Sequence, residues 1–366
     1  MISKPSFGAT LPWLALLGIA FGMPAGRAQE GLEVQALDRS RELMRADATV
    51  EMRRGDSRNQ VLMTGIEDGF LYVRFSREGA TASFAIENLG SIRFLPTSDS
   101  EITRIRGKIG GGHPLSSEEL DRLREAFFPL VRFLELPETK AAFQQPVANL
   151  MLALVRSGHS EEALMLFHQV PEEKREGTLN RAALELARKL WHKQSPENAY
   201  GLLSLLPLER LDKLNVELAF EIASDMRMGE GLEKATVWYR RLADNPNADQ
   251  RRAQLWQRYC ELRQGQHVSD HRFARTLPEV APGERFFPLQ KLVLGIYYQE
   301  REQSKEAMRA IAEGIAYATP FETWTPELMY RSAQAYEALE QSAIASAVYA
   351  ETRKFFPNSP WAQRSL

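Results

Sequence analysis

The stretch Leu294-Gly295-Ile296-Tyr297-Tyr298, continued by Ala307 and Ile311, returns as Ala333-Gln334-Ala335-Tyr336 with Ala345, Tyr349 and Pro357. In both, a small residue stands twelve before an alanine and a large apolar residue stands four after it. Working outward, alanines recur in this setting at 163, 199, 235, 307 and 345, spaced by 36, 36, 72 and 38. The slot between 235 and 307 falls on His271, where the pattern is degraded. Four residues beyond the alanines come Phe167, Leu203, Tyr239, Ile311 and Tyr349. Twelve before them come Ala187, Ala223, Gly295 and Ala333, with Met151 as the exception. Ser160, Ser304 and Ser342 stand at the helix starts as expected N-caps, and Ser195-Pro196 does the same at another. From Leu115 to the end the apolar period is 3.6, so the fold class is mainly α. A hairpin of two such helices cannot bury its own apolar face, so neighbouring hairpins must stack into a superhelix with one concave side.

Over about Phe143 to Ala362 these units resemble the tetratricopeptide repeat family, most clearly in the two quoted above. The resemblance implies a solenoid of antiparallel helix hairpins over 143–366. It also implies binding of peptides or proteins by the concave face, which the first helix of each hairpin lines. The family's groove positions fall on Arg156, Arg188, Trp191, Phe220, Arg227, Trp256, Arg263, Gln299, Tyr330 and Arg331. Arginine and aromatic side chains dominate binding energy at interfaces. The basic and asparagine residues with which some relatives clamp a chain-terminal carboxylate are replaced by Ala148 and Leu152, so that function does not transfer.

Ahead of the repeats the period is two. Val50 and Met52 alternate with polar neighbours, as do Val61 and Met63, Leu71, Val73 and Phe75, Phe84 and Ile86, and Ile92 and Phe94. The breaks are turn-formers, and Asp68-Gly69 between two runs is a short-hairpin signal. Five short strands over 48–96 must close or be covered, which predicts a small, strongly bent β-barrel. The segment Glu67-Asp68-Gly69-Phe70-Leu71-Tyr72-Val73-Arg74-Phe75 resembles those of small SH3-like or Sm-like barrels. Residues 29–47 read as a short helix or linker and 97–114, with Gly110-Gly111-Gly112, as a flexible linker. Residues 115–140 read as a capping helix opened by the Ser116–Glu119 capping box and running to Leu134.

Lys4, the apolar run Leu11 to Met23, and Gly26 and Ala28 make a cleavable export signal over 1–28, with a mature start at Gln29. Its loss takes the net charge from −2 to −4. The expected location is periplasmic or secreted, with no integral membrane span: the run is too short, and no later stretch is apolar enough. Cys260 is the single cysteine, so no internal disulfide forms. It sits in a helical pattern as a small hydrophobe.

No chemistry-bearing constellation stands out. His267 and His271, with Asp270, have the spacing by which a helix presents two imidazoles to zinc, but Gly265 and Asp270 point to a loop with solvated histidines. Arg54-Gly55-Asp56 spells an adhesion tripeptide, yet Gly-Asp is what a turn between strands needs. Gly107-Lys108-Ile109 lacks the hydroxyl residue of a phosphate loop. No nucleic-acid partner is expected from a chain without basic clustering. The expectation is a non-catalytic scaffold or adaptor for proteins or peptides, without metal or cofactor, in a bacterial envelope complex. The alternative is an accessory subunit or hydrolase of envelope metabolism.

Overall fold

The period-two segment folds into strands, but not into a barrel. A computed structural model describes residues 24–54, 57–94, 100–192, 196–229 and 231–365. In it β1 (Ala48–Arg54), β2 (Ser57–Glu67), β3 (Phe70–Arg74), β4 (Thr81–Ala85) and β5 (Ile92–Phe94) form an antiparallel sheet in the order β4-β3-β2-β1-β5. Val50 pairs with Val61 and Met63 with Val73, which puts Val50, Met52, Val61, Met63, Leu71 and Val73 on one buried face. Slipping the register by one residue would turn that whole set to solvent. Asp68 and Gly69, with φ of 51° and 78°, make the two-residue turn that suits the strand twist.

Closure is where expectation and structure part. β4 and β5 are the two edges and do not pair with each other, so the sheet is open. The β5 edge is satisfied elsewhere. Ile92 N–H donates to the Lys140 carbonyl at 2.7 Å, Ile92 forms a parallel bridge with Ala141, and Lys140 Nζ donates to the Leu89 carbonyl at 2.6 Å. A covered edge needs no barrel to protect it. Gly55 and Asp56 of the adhesion-like tripeptide lie outside the described residues, as does the apolar run Leu11 to Met23.

The stretch expected as a linker is also corrected. Within it α2 (Ser100–Gly110) buries Ile102, Ile105 and Ile109, a stripe at helical spacing. The glycines close the helix rather than loosen it. Gly111 N–H donates to the Gly107 carbonyl and Gly112 N–H to that of Ile109, with Gly112 at φ 73°, a conformation glycine adopts without cost. α3 (Ser117–Phe127) opens with the full Ser116–Glu119 capping box. It stops earlier than the expected Leu134 and continues as a 3-10 segment, Phe128–Phe133, because Pro129 has no N–H to return to the preceding turn. N-terminal to the sheet, α1 (Pro24–Arg45) runs through Gly26 and Ala28. Its Ser40, 1% exposed, donates to Glu162 at 2.5 Å.

α2 and α3 are joined by charge. Lys108 Nζ and Arg104 NH1 each lie 2.7 Å from Glu119 Oε1. The Lys108 hydrogen bond, with the Ser116 N–H and Arg104, pushes the Glu119 carboxyl down to about 2. A depressed carboxyl stabilises the fold fully above its unfolded value near 4.5 and loses that contribution as pH falls toward about 2. Glu119→Gln is therefore expected to flatten the acid-unfolding curve between those two pH values, followed by tryptophan fluorescence. An unchanged acid limb would show that the contact is energetically idle.

The rest of the chain is helical: α4 (Gln144–Arg156), α5 (Ser160–Gln169), α6 (Gly177–His192), α7 (Pro196–Ser204), α8 (Lys213–Met228) and α9 (Leu232–Ala243). Then come α10 (Gln250–Arg263), α11 (Phe273–Thr276), α12 (Phe287–Gln299), α13 (Ser304–Tyr317), α14 (Thr325–Ala338), α15 (Ser342–Phe355) and α16 (Pro360–Arg364). Pairs pack as α4 on α5, α6 on α7, α8 on α9, α12 on α13 and α14 on α15. First members also touch onward, α4 on α6, α6 on α8, α10 on α12 and α12 on α14. Ala163, Ala199, Ala235, Ala307 and Ala345 sit on the second helices, all buried. Where the slot falls on His271, the second helix has shrunk to the single turn α11, and His271 is exposed in front of it. The serines at 160, 304 and 342 are first helical residues, not caps; His159, Gln303 and Gln341 precede them without a side-chain cap bond.

One apolar core runs without a break from Ala48 on β1 to Ala335 on α14, so sheet and helices are a single body. Cys260 lies inside it, fully buried, and burial pushes its thiol up to about 12, only partly offset by Arg227. The thiolate is the reactive form, so Cys260 is expected to resist iodoacetamide in the native protein at pH 8 and to react fully in denaturant. Rapid native labelling would contradict the packing. Among the described residues no helix is long and apolar enough to cross a membrane.

Candidate functional site

The expected groove residues divide into three groups, and the first is buried among the helices rather than facing a ligand. Arg227 on α8 has a side chain 1% exposed, with its guanidinium 3.8 Å from the Trp256 ring centre and 5.0 Å from that of Tyr259. Its charge meets Glu327 on α14, 0% exposed, at 3.4 Å. Tyr259 OH donates to the same carboxylate at 2.7 Å, Arg331 Nε lies 3.6 Å away and Arg263 NH1 3.8 Å. Phe220 and Trp256 are each 2% exposed, with Arg252 stacked 4.0 Å over the Phe220 ring. Phe220, Arg227 and Trp256 therefore cannot meet a ligand from solvent, and the groove assignment is corrected for all three. Arg331 is also buried. The physical reason is that large side chains on α8, α10 and α14 fill the space between the packed helices before any remains for a ligand.

A second group joins neighbouring units. Arg188 on α6 reaches Glu221 at 2.8 Å and Asp225 at 3.0 Å, both on α8. Gln299 on α12 donates to the Arg331 carbonyl of α14 at 3.0 Å, and Arg263 on α10 lies 3.8 Å from Glu327 on α14. Trp191 lies over the turn between α8 and α9, so close that a Cβ on Gly231 would sit 2.6 Å from the indole. Tyr330 packs against Trp361 of α16, ring centres 5.3 Å apart. His267 and His271 are not brought together: one faces Glu261 at 3.3 Å, the other Arg301 at 2.8 Å.

Arg156 borders a cavity of about 610 Å³ between α2, α4 and α6 and lies at one end of it. The wall from α4 is Gln145, Asn149, Leu152 and Arg156, one stripe of the helix. Thr178 and Arg181 come from α6, and Thr103, Arg106 and Ile109 from α2. Arg156 is fully committed: Nε and NH2 grip Glu185 at 3.1 and 2.9 Å, and NH1 donates to the Ile109 carbonyl at the end of α2. Arg181 reaches the same carboxylate through Nε at 3.2 Å. Burial raises the Glu185 carboxyl, but Arg156 and Arg181 outweigh it and hold it below the ordinary carboxylate range, so it stays charged. The wall itself thus carries three guanidinium groups and no carboxylate.

Two donors are left over. Asn149, 9% exposed, accepts at Oδ1 from Gln145 at 3.1 Å, and its Nδ2 has no acceptor among the described residues. Arg106, half-buried on α2, has no ion pair or hydrogen bond among them either. Nothing in the residues at 97–114 read as a linker pointed to Arg106; the isoleucine stripe was the usable signal. The chemistry on offer is positive charge and amide donors, suited to holding an anion.

No family model matches the chain, and no curated protein matches it. Among solved structures it is similar to BtubC (BKLC) from P. vanneervenii, at 13% identity and a TM-score of 0.30, with 70% of this chain and 91% of that chain covered. A likeness at that level assigns neither fold nor function.

Proposed function

We propose that the chain is a non-catalytic scaffold or adaptor, exported to the periplasm or beyond, that holds protein or peptide segments against the first helices of a tetratricopeptide-like solenoid. The buried alanine register and the onward contacts of the first helices support the repeat reading. The observation that carries the binding reading is the cavity beside α4 and α6, walled by first-helix side chains with unspent donors. The rival, a hydrolase or accessory subunit of envelope metabolism, calls for paired titratable groups facing a closed pocket. The cavity wall brings cations and amides instead.

The test is site-specific photo-crosslinking in envelope extract. A crosslinker in place of Gln145, on the cavity wall, is expected to trap discrete polypeptides. One in place of Arg309 on α13, whose side chain is 84% exposed, is expected to trap none. Equal trapping at both positions would sink the binding reading. Retention of Met1 in a cytoplasmic protein would sink the export reading.

A further inference from the structure

We infer that the cavity between α2, α4 and α6 is a subsite for the carboxylates of a short acidic peptide segment held extended along α4. The inference rests on the peptide-binding reading above and gives it a ligand class. Shape comes first. Gln145, Asn149, Leu152 and Arg156 line the cavity along one helix, eleven steps apart from first to last or about 16 Å at ~1.5 Å per residue. That length takes an extended segment of about five residues at ~3.3 Å each, and exceeds what a single small anion needs.

Charge is the second argument. Glu185 is shared by Arg156 and Arg181, which leaves Arg106 without any counter-charge among the described residues and Arg181 with its two terminal nitrogens uncommitted. These two guanidinium groups stand on different helices, α2 and α6, and both line the cavity, so two carboxylates of one segment can each take one fork. Third, Asn149 lines the cavity with its Nδ2 unbonded among the described residues, a donor open to an incoming acceptor. Ile109 and Leu152 supply apolar wall between the donors, a fit for the methylenes of glutamate side chains. Arg106 lies on α2, outside the repeats, so the subsite exists only because the segment before α3 folds back onto α4.

The experiment is isothermal titration of the full chain with acetylated, amidated pentapeptides carrying two glutamates at each possible spacing. Their glutamine twins, a neutral pentapeptide with a free C-terminus, inorganic phosphate and phosphatidylglycerol vesicles are the comparison probes. At least one glutamate peptide should bind about tenfold or more tightly than its glutamine twin, and more weakly as salt rises. Arg106→Gln, which breaks no intramolecular pair, should reduce that affinity about tenfold with an unchanged melting temperature. The free C-terminus arm separates side-chain carboxylates from a terminal one; binding of that neutral peptide as tightly as the glutamate peptides overturns the inference. Glutamate and glutamine peptides binding alike, or Arg106→Gln binding like the parent, overturns the acidic class while leaving inner-face binding standing. Binding of phosphate or vesicles without the peptides overturns it as well. Loss of crosslinking at Gln145 would instead remove the reading beneath it.

Discussion

Glu327→Ala should lower the unfolding free energy by about 3–5 kcal/mol, the usual cost of stranding a buried charge. Glu327 is 0% exposed and, among the described residues, is the only carboxylate paired with Arg227, whose side chain is 1% exposed. Its removal also takes the acceptor from Tyr259 OH and the counter-charge from Arg263 and Arg331. The faces of Trp256 and Tyr259 remain to Arg227, but cation–π attraction of about 2 kcal/mol does not replace the ion pair. Glu327→Gln keeps the shape and an acceptor for Tyr259, so it should fall between parent and alanine. Arg227→Met combined with Glu327→Leu removes both charges and should recover much of the loss. Urea unfolding of the four proteins measures these differences. An alanine variant within about 1 kcal/mol of the parent would mean that the cluster contributes little.

Ala307→Leu is expected to cost about 1–3 kcal/mol by overpacking and to broaden the thermal transition, since loss in one unit weakens its coupling to the next. Ala307 is buried where α13 crosses α12. The closeness of that crossing is visible at Gly295, where an added Cβ would stand 2.5 Å from Ile311 Cγ1. His271→Leu, at the exposed position where the slot lacks its helix, should stay within about 0.5 kcal/mol. Circular dichroism melts of the two variants decide the matter. If Ala307→Leu melts like the parent, or His271→Leu melts lower than it, the 36-residue register is wrong.

What the sequence made legible was local or periodic. Asp68-Gly69 gave its turn because both residues accept a positive φ. Ser116 and Glu119 gave their capping box because the two groups are three residues apart. The alanines gave buried helix positions because a close crossing admits only a small side chain, and the degraded pattern at His271 fell on an exposed residue beside the short helix α11. What failed depended on distant pairing. Whether the sheet closed turned on Ile92 meeting Lys140, and no strand pattern reports that. Arg227 read as a groove residue from its position on a first helix; its fate was set by Glu327, a hundred residues on. α2 was missed for a nearer reason: three glycines and three basic residues outweighed three isoleucines at helical spacing.

Of the bonds that seat the N-terminal helix, Ser40 to Glu162 spans 122 residues, and the β5 edge waits for Lys140. A chain made or threaded from its N-terminus therefore produces α1 and the strands well before the surfaces that receive them. Contacts of such sequence separation close slowly, because the intervening chain must be ordered first. These early-emerging elements are thus among the last to be secured. During that interval an unseated α1 and a bare β5 edge are the places where a chaperone would have most to protect.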